Sequence, residues 1–139
     1  MIEKILHKGV TFGIIIRNNY SKVGIEFFTD DNDSQQLGYM QRPEGYEIKP
    51  HRHNLVPREV HLTQEVLYLK SGKVRVDFYS NSQEYLESRI LLKGDVILLA
   101  DGGHGFQMLE KSEIIEVKQG PYCGEQDKVR FEPVTIEKL

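Results

Sequence analysis

Residues 45–72 read GYEIKPHRHNLVPREVHLTQEVLYLKSG, and the rest of the chain is best read outward from them. The first part, residues 46–53 (YEIKPHRH), reads as a strand. His51 and His53 lie two apart in it, so both side chains leave by one face, with Cα atoms about 6.5–7 Å apart. Two imidazoles placed this way can meet at one point. Glu65 opens a second apolar strand, EVLYLK, in which alternation puts it on the face of Leu67 and Leu69. A carboxylate aimed among leucines is costly unless something positive compensates it, as a divalent cation would. Further along, a third strand turns through Asp101-Gly102-Gly103 into His104. His51, His53, Glu65 and His104 together supply three imidazoles and one carboxylate, a ligand set that suits Zn, Fe, Mn, Ni or Cu.

On either side of this stretch, short β-rich runs recur between Gly, Pro, Asn and Asp, and no long helical period competes with them. Residues 11–17 and 23–29 read as a hairpin around Asn18-Asn19, followed by the polar loop TDDNDSQQ. Residues 37–42 precede the turn Arg42-Pro43-Glu44-Gly45, in which proline fixes φ and glycine supplies the permissive position. Eleven residues separate His53 from Glu65, including Pro57, Arg58, Glu59 and His61. A connection of that length is longer than a tight hairpin needs and is of the kind that carries substrate contacts.

Residues 65–70 and 73–79 are joined by Ser71-Gly72. In the second run Val74, Val76 and Phe78 alternate with Arg75, Asp77 and Tyr79, the pattern of a strand with one buried face and one wet face. Residues 84–92 and 95–99 flank Lys93-Gly94, and the continuous apolar run Val96–Leu99 suits a strand covered on both sides. Residues 104–109 and 113–119 flank Lys111-Ser112, with His104, Phe106 and Met108 on one face of the first. The tail opens with a Gly-Pro break and contributes one more strand at about 129–136. These runs predict one all-β domain over residues 1–139, a sandwich or barrel, with no internal repeat or interdomain linker.

The chain has 139 residues, enough for one core in a single domain that buries roughly 68–70% of its unfolded surface. Its 18 Lys and Arg against 21 Asp and Glu give a formal charge of −3, scattered along the chain. Nucleic acid is therefore not expected as a partner, since phosphate-backbone binding needs concentrated basic surface. The one cysteine, Cys123, forms no internal disulfide and reads as a small loop residue. With an N-terminus charged within four residues and no long apolar run, the reading predicts no membrane span, no signal peptide and a cytoplasmic location.

At this point the spacing resembles the cupin superfamily. That family's first motif is a glycine, five residues, His-x-His, an acidic residue after a variable gap, six residues and a glycine. Here Gly45, His51, His53, Glu65 and Gly72 stand in that order with both fixed spacers intact. The variable gap, normally three or four residues, is eleven here, which leaves Glu59 or His61 as a substitute for Glu65 in the ligand set. The second motif corresponds to Gly94 and then Ala100-Asp101-Gly102-Gly103-His104, where alanine stands for the usual proline, the turn is one residue shorter and Met108 replaces an asparagine. The resemblance covers residues 45–72 and 94–108. It implies a double-stranded β-helix, the cupin or jelly-roll barrel, in which His51, His53, Glu65 and His104 point inward and hold one metal ion open to a ligand.

The functional expectation is an enzyme acting on a small polar or anionic organic molecule, such as a hydroxy acid, keto acid or sugar derivative, through one divalent metal (Zn, Fe, Mn or Ni) that acts as a Lewis acid or binds dioxygen. Glu59, His61 and Lys118 are the candidate acid–base residues. Two other readings stand beside it: a metal-independent isomerase or epimerase of nucleotide-linked sugars, and a non-catalytic barrel that binds a small ligand. Two orientations stay open. Glu65 could be exposed with Gln64 facing in, and either Ile115 and Val117 or Glu116 and Lys118 could face the interior. The apolar run Gly13–Ile16 needs a partner, within the chain or across a dimer, and a homodimer is expected.

Overall fold

A computed structural model describes residues 1–135, 137 and 139. Among them ten strands form: β1 (Ile2–His7), β2 (Val10–Ile16), β3 (Gly24–Phe27), β4 (Gly38–Gln41), β5 (Glu65–Ser71), β6 (Lys73–Tyr79), β7 (Tyr85–Leu92), β8 (Val96–Leu99), β9 (Gly103–Met108) and β10 (Glu113–Lys118). They make three antiparallel sheets, in the orders β1-β2-β8-β5-β10, β7-β6-β9 and β3-β4. The sheets do not close into a barrel. No α-helix occurs among the described residues, and none of their helices is long and apolar enough to cross a membrane.

The main core lies between the five-stranded and three-stranded sheets. Ile5, Phe12, Ile15, Leu67, Leu69, Ile97 and Leu99 from the first meet Val74, Val76, Phe78 and Leu91 from the second. The other face of the five-stranded sheet carries Ile14, Ile16 and Leu98, covered by Tyr20, Phe28 and Leu37 from the region of the β3–β4 hairpin. The run Val96–Leu99 is thus covered on both sides, as its unbroken apolarity predicts. The same cover supplies Gly13–Ile16 with partners inside the chain, so this run gives no reason for a dimer.

Tight turns in this molecule mostly carry the chain from one sheet to another. β5 and β6 are joined across Gly72 but pair with different strands, β5 with β8 and β10, β6 with β7 and β9. Gly72 has φ +96°, and a Cβ there would stand 2.2 Å from Ser112 Oγ and 2.4 Å from the Lys111 carbonyl oxygen. No side chain fits that corner. Similarly β9 and β10 do not pair with each other. They form edges of separate sheets, β9 beside β6 and β10 beside β5.

Four expectations are corrected. Residues 11–17 and 23–29 do not form a hairpin; β2 pairs with β1 and β8 instead. The reason lies at Asn18, whose backbone N–H donates to Asp95 Oδ1 (2.8 Å) and whose amide donates to the Lys93 carbonyl (2.6 Å), tying the chain to the β7–β8 turn where it was expected to reverse. Residues 46–53 are not a strand: residues 42–62 are exposed and without strand pairing. Pro43, Pro50 and Pro57 interrupt this segment, and a proline removes a ladder donor wherever it falls. The expected turn does form, with Tyr46 N donating to the Pro43 carbonyl, but it leads into an extended exposed segment. The tail forms no strand over residues 129–135, and the remaining position, Ile136, lies outside the described residues. Finally, the second face of β6 is not wet. Asp77 and Tyr79 are buried, Asp77 by the Arg75 guanidinium (2.9 Å) and Ser88, Tyr79 by the rings of Tyr85 and Phe131.

One buried charge fixes the first corner of the five-stranded sheet. Asp95, 1% exposed, accepts from Arg17 Nη1 (2.8 Å) and from the backbone N–H groups of Asn18 and Leu92 (both 2.8 Å). Arg17 also reaches Glu3 (2.7 Å), which Arg89 approaches from β7 (2.7 Å). The two guanidiniums hold the Glu3 carboxyl below the usual carboxylate range.

Candidate functional site

The alternation of β5 puts Glu65 on the core-facing side, in line with Leu67 and Leu69, and it is 8% exposed. Gln64, one residue earlier, is buried as well, its amide donating to Asp33 Oδ1 (3.2 Å) and its carbonyl accepting from the Gln35 backbone (2.9 Å). Both therefore face inward, one on each side of the sheet, and the two readings of this strand start are not alternatives. Across the β5–β10 ladder Lys118 stands directly opposite Glu65, and Glu116 opposite Leu67. The polar pair of β10 thus shares the side of Glu65, and Ile115 and Val117 are left more than half exposed on the outer side.

His104 arrives from the other sheet. Gly102 precedes it at φ +72°, where a Cβ would lie 2.3 Å from Phe12 Cε2, so this turn can close against the Phe12 ring with glycine alone. The turn aims His104, opposite Phe78 on β6, toward the interior. Its Nε2 lies 3.7 Å from Glu65 Oε2, and Lys118 Nζ lies 4.0 Å from Glu65 Oε1. Each oxygen of one buried carboxyl is thus approached by a different nitrogen, from two further strands.

These groups lie in a cleft of about 760 Å³ where edge strands β9 and β10 leave the sandwich open. Phe106, Arg75 and residues 127–133 complete its walls. Burial, with Glu116 as a second carboxyl nearby, pushes the Glu65 carboxyl up to about 7, against the opposing pull of Lys118 and Lys128. Burial likewise holds His104 below the ordinary histidine value, so it is a neutral imidazole at neutral pH.

Of the residues picked from sequence, the structure brings together Glu65, His104 and Lys118, with His61 at the rim of the same cleft. Glu59 faces His61 across 3.7 Å on the exposed segment, both side chains more than four-fifths exposed. His51 and His53 lie edge to face, ring centroids 5.4 Å apart, on that segment and outside the cleft lining. They remain neighbours, but through local chain direction and not through a shared strand face. Among the described residues no cluster of three or more His, Cys, Asp or Glu side chains is arranged around one point as metal ligands would be. Cys123 is exposed, with its thiol toward the Pro121 carbonyl.

Sequence reasoning missed the tail as a wall of the site. Residues 124–127 form a 3-10 turn, Thr63 Oγ1 donates to Asp127 Oδ1 (2.7 Å), and the Val134 N–H donates to Tyr79 Oη (3.0 Å). These pins draw Lys128 and Arg130 to the cleft. Nothing in the alternation of Lys128, Val129, Arg130 and Phe131 announces such a role, since the same pattern fits an edge strand. Compared with known proteins, the chain matches no family model, no curated protein and no solved structure.

Proposed function

We propose that the cleft binds a small polar or anionic organic molecule and moves a proton on it, with Glu65 as the acid–base group. The observation that carries this is the convergence of His104 Nε2 and Lys118 Nζ on the two oxygens of one buried carboxyl. Packing alone gives no reason to bury a carboxyl beside Leu67 and Leu69, because its desolvation opposes folding. A carboxyl that titrates near neutrality holds and releases a proton with comparable ease, which is what general acid–base chemistry asks of it. In the forward direction Glu65 takes a proton from the ligand, the electron pair stays on a ligand oxygen, and the Lys118 ammonium stabilises that charge. His104, uncharged, can donate to or accept from the same ligand. Kinship with the cupins and a jelly-roll path for the chain belong to this proposal, supported by two facing sheets and by the meeting of one residue from each motif, Glu65 and His104.

Incubating the purified chain in D2O with a panel of hydroxy acids, keto acids and sugars tests the reading. Deuterium uptake into at least one of them, abolished in a folded Glu65→Gln variant, is expected. A panel that neither exchanges nor perturbs the cleft resonances removes the proposal.

A second reading, one divalent metal in the cleft, is favoured by the 3.7 Å between Glu65 Oε2 and His104 Nε2. Two donors bonded to one zinc-like ion at about 2.0–2.1 Å can lie up to about 4.1 Å apart, so this pair fits a shared ion. His51 and His53, placed outside the cleft, do not join them, and the set of four is not assembled. Elemental analysis of the parent and of a His51→Ala, His53→Ala double variant separates the cases: about one equivalent of metal in the parent and none in the variant supports a four-ligand site, and equal metal content in both excludes His51 and His53 as ligands.

A further inference from the structure

The cleft carries four cationic side chains besides its histidines, and two of them are already committed. Arg75 gives both Nε and Nη2 to Asp77 at 2.9 and 3.1 Å, and Arg130 is paired with Glu125. Lys118 and Lys128 are different. Lys118 has its nearest carboxylate oxygen at 4.0 Å, on a carboxyl that holds its own proton near neutrality. Lys128 makes no ion pair among the described residues, although it lines the cleft together with Lys118. Both line one cleft with Glu65 and His104.

Lys128 is also held where it is. The Thr63–Asp127 hydrogen bond anchors the chain immediately before it, and Phe131 anchors the chain after it, edge-on to the Tyr79 ring at 5.0 Å, followed by Val134 on the Tyr79 hydroxyl. Tyr79 is itself buried. A backbone held between two such anchors brings an unpaired ammonium into one cleft with a second, and two ammoniums in one cleft suit an anion.

We propose that Lys118 and Lys128 form a carboxylate-binding subsite, so that the cleft takes a small organic acid with its carboxylate between the two ammoniums and its neighbouring carbon over Glu65. This rests on the reading of the cleft given above and deepens it to a substrate class. The charge balance favours a carboxylate over a phosphate ester. Glu65, Glu116, Asp127 and Glu132 line the same cleft, so the double charge of a phosphate ester is opposed more strongly there than the single charge of a carboxylate. The carboxylate end also fits the proton chemistry. Charge that develops on the ligand when Glu65 removes a proton from the adjacent carbon is delocalised into the group the lysines hold.

Chemical-shift titration of the full chain at pH 7 with lactate, lactamide and methyl phosphate tests this. Lactate is expected to move resonances at 104–106, 116–118 and 128 and to bind about tenfold or more tightly than lactamide. Lys118→Gln and Lys128→Gln are each expected to weaken lactate about fivefold or more, and Lys4→Gln, on the far edge of the five-stranded sheet, to leave it unchanged. Equal binding of lactate and lactamide, full lactate affinity in folded Lys128→Gln, tighter binding of methyl phosphate, or no shift with any probe overturns the subsite. Deuterium exchange on a neutral sugar, lost in Glu65→Gln, would leave the acid–base reading standing while the subsite falls. Loss of both exchange and binding removes the two together.

Discussion

Replacing Glu65 by Gln exchanges a carboxyl for an amide of nearly the same shape at a position 8% exposed, so the difference in stability between variant and parent reads the charge of this one group. In the folded chain its pKa stands at about 7, against an ordinary 4.5. Below pH 4.5 both folded and unfolded chains hold the proton, and Glu65 costs nothing. Between 4.5 and 7 the unfolded chain releases the proton while the folded chain keeps it. The unfolded state then binds fewer protons, and stability falls as pH rises. Above pH 7 the loss is complete. At ~1.36 kcal/mol per pH unit, the gap between the two values comes to ~3 kcal/mol. Glu65→Gln is expected to match the parent near pH 4 and to exceed it by up to ~3 kcal/mol at pH 8.

Urea unfolding at pH 4.5, 6, 7 and 8, followed by far-UV circular dichroism because the chain lacks tryptophan, measures this, with a chelator present throughout. His104, held low by burial, acts in the other direction, losing stability as pH falls through its range, and because it lies 3.7 Å from Glu65 its titration is followed by NMR in both proteins so that its share of the difference is subtracted. A difference between variant and parent that is flat across this range, at equal m-values, refutes the account of Glu65 as a carboxyl kept protonated by its surroundings.

Two further outcomes follow from the frame around the site. Gly102→Ala places a Cβ 2.3 Å from Phe12 Cε2 at φ +72°; it should cost about 2 kcal/mol or more in a thermal or urea melt and shift the His104 resonance, and a neutral result would show that the turn can move away from Phe12. Arg17→Ala leaves the carboxylate of Asp95 without its cation at 1% exposure and should cost about 3 kcal/mol at pH 7. Adding Asp95→Asn should restore part of that loss, and a double variant no better than the single one would mean that Arg17 acts through Glu3 instead.

Much of the strand inventory was legible because period-two alternation and glycine-bounded runs are local. Residues 65–70, 73–79, 84–92 and 95–99 read as strands and match β5 to β8 to within a residue at each end, and the unbroken apolarity of Val96–Leu99 announced cover on both faces. Pairing was not legible. Short connections such as Ser71-Gly72 and Lys93-Gly94 look like hairpin turns in sequence, and whether the chain folds back or crosses to another sheet depends on what the corner packs against. At Gly72 that is Ser112, 40 positions away. His51 and His53 show the converse: their spacing suggested a shared strand face, yet no second strand comes to pair with a proline-interrupted segment, and alternation has no meaning without a sheet.

The sequence by itself determined that this is an all-β chain, that Glu65 opens an apolar strand, with its orientation left open against Gln64, and that His104 follows a glycine turn into a half-apolar strand. Those properties follow from the residue types within a few positions. Tertiary structure alone decided that Glu65, His104 and Lys118 meet, that Glu116 and Lys118 and not Ile115 and Val117 face the cleft, and that the tail brings Lys128 to it. Strands β5, β9 and β10 belong to two different sheets, and the side a strand presents is chosen by the register and packing of its neighbours. That information is spread over contacts between distant residues, where no local pattern records it.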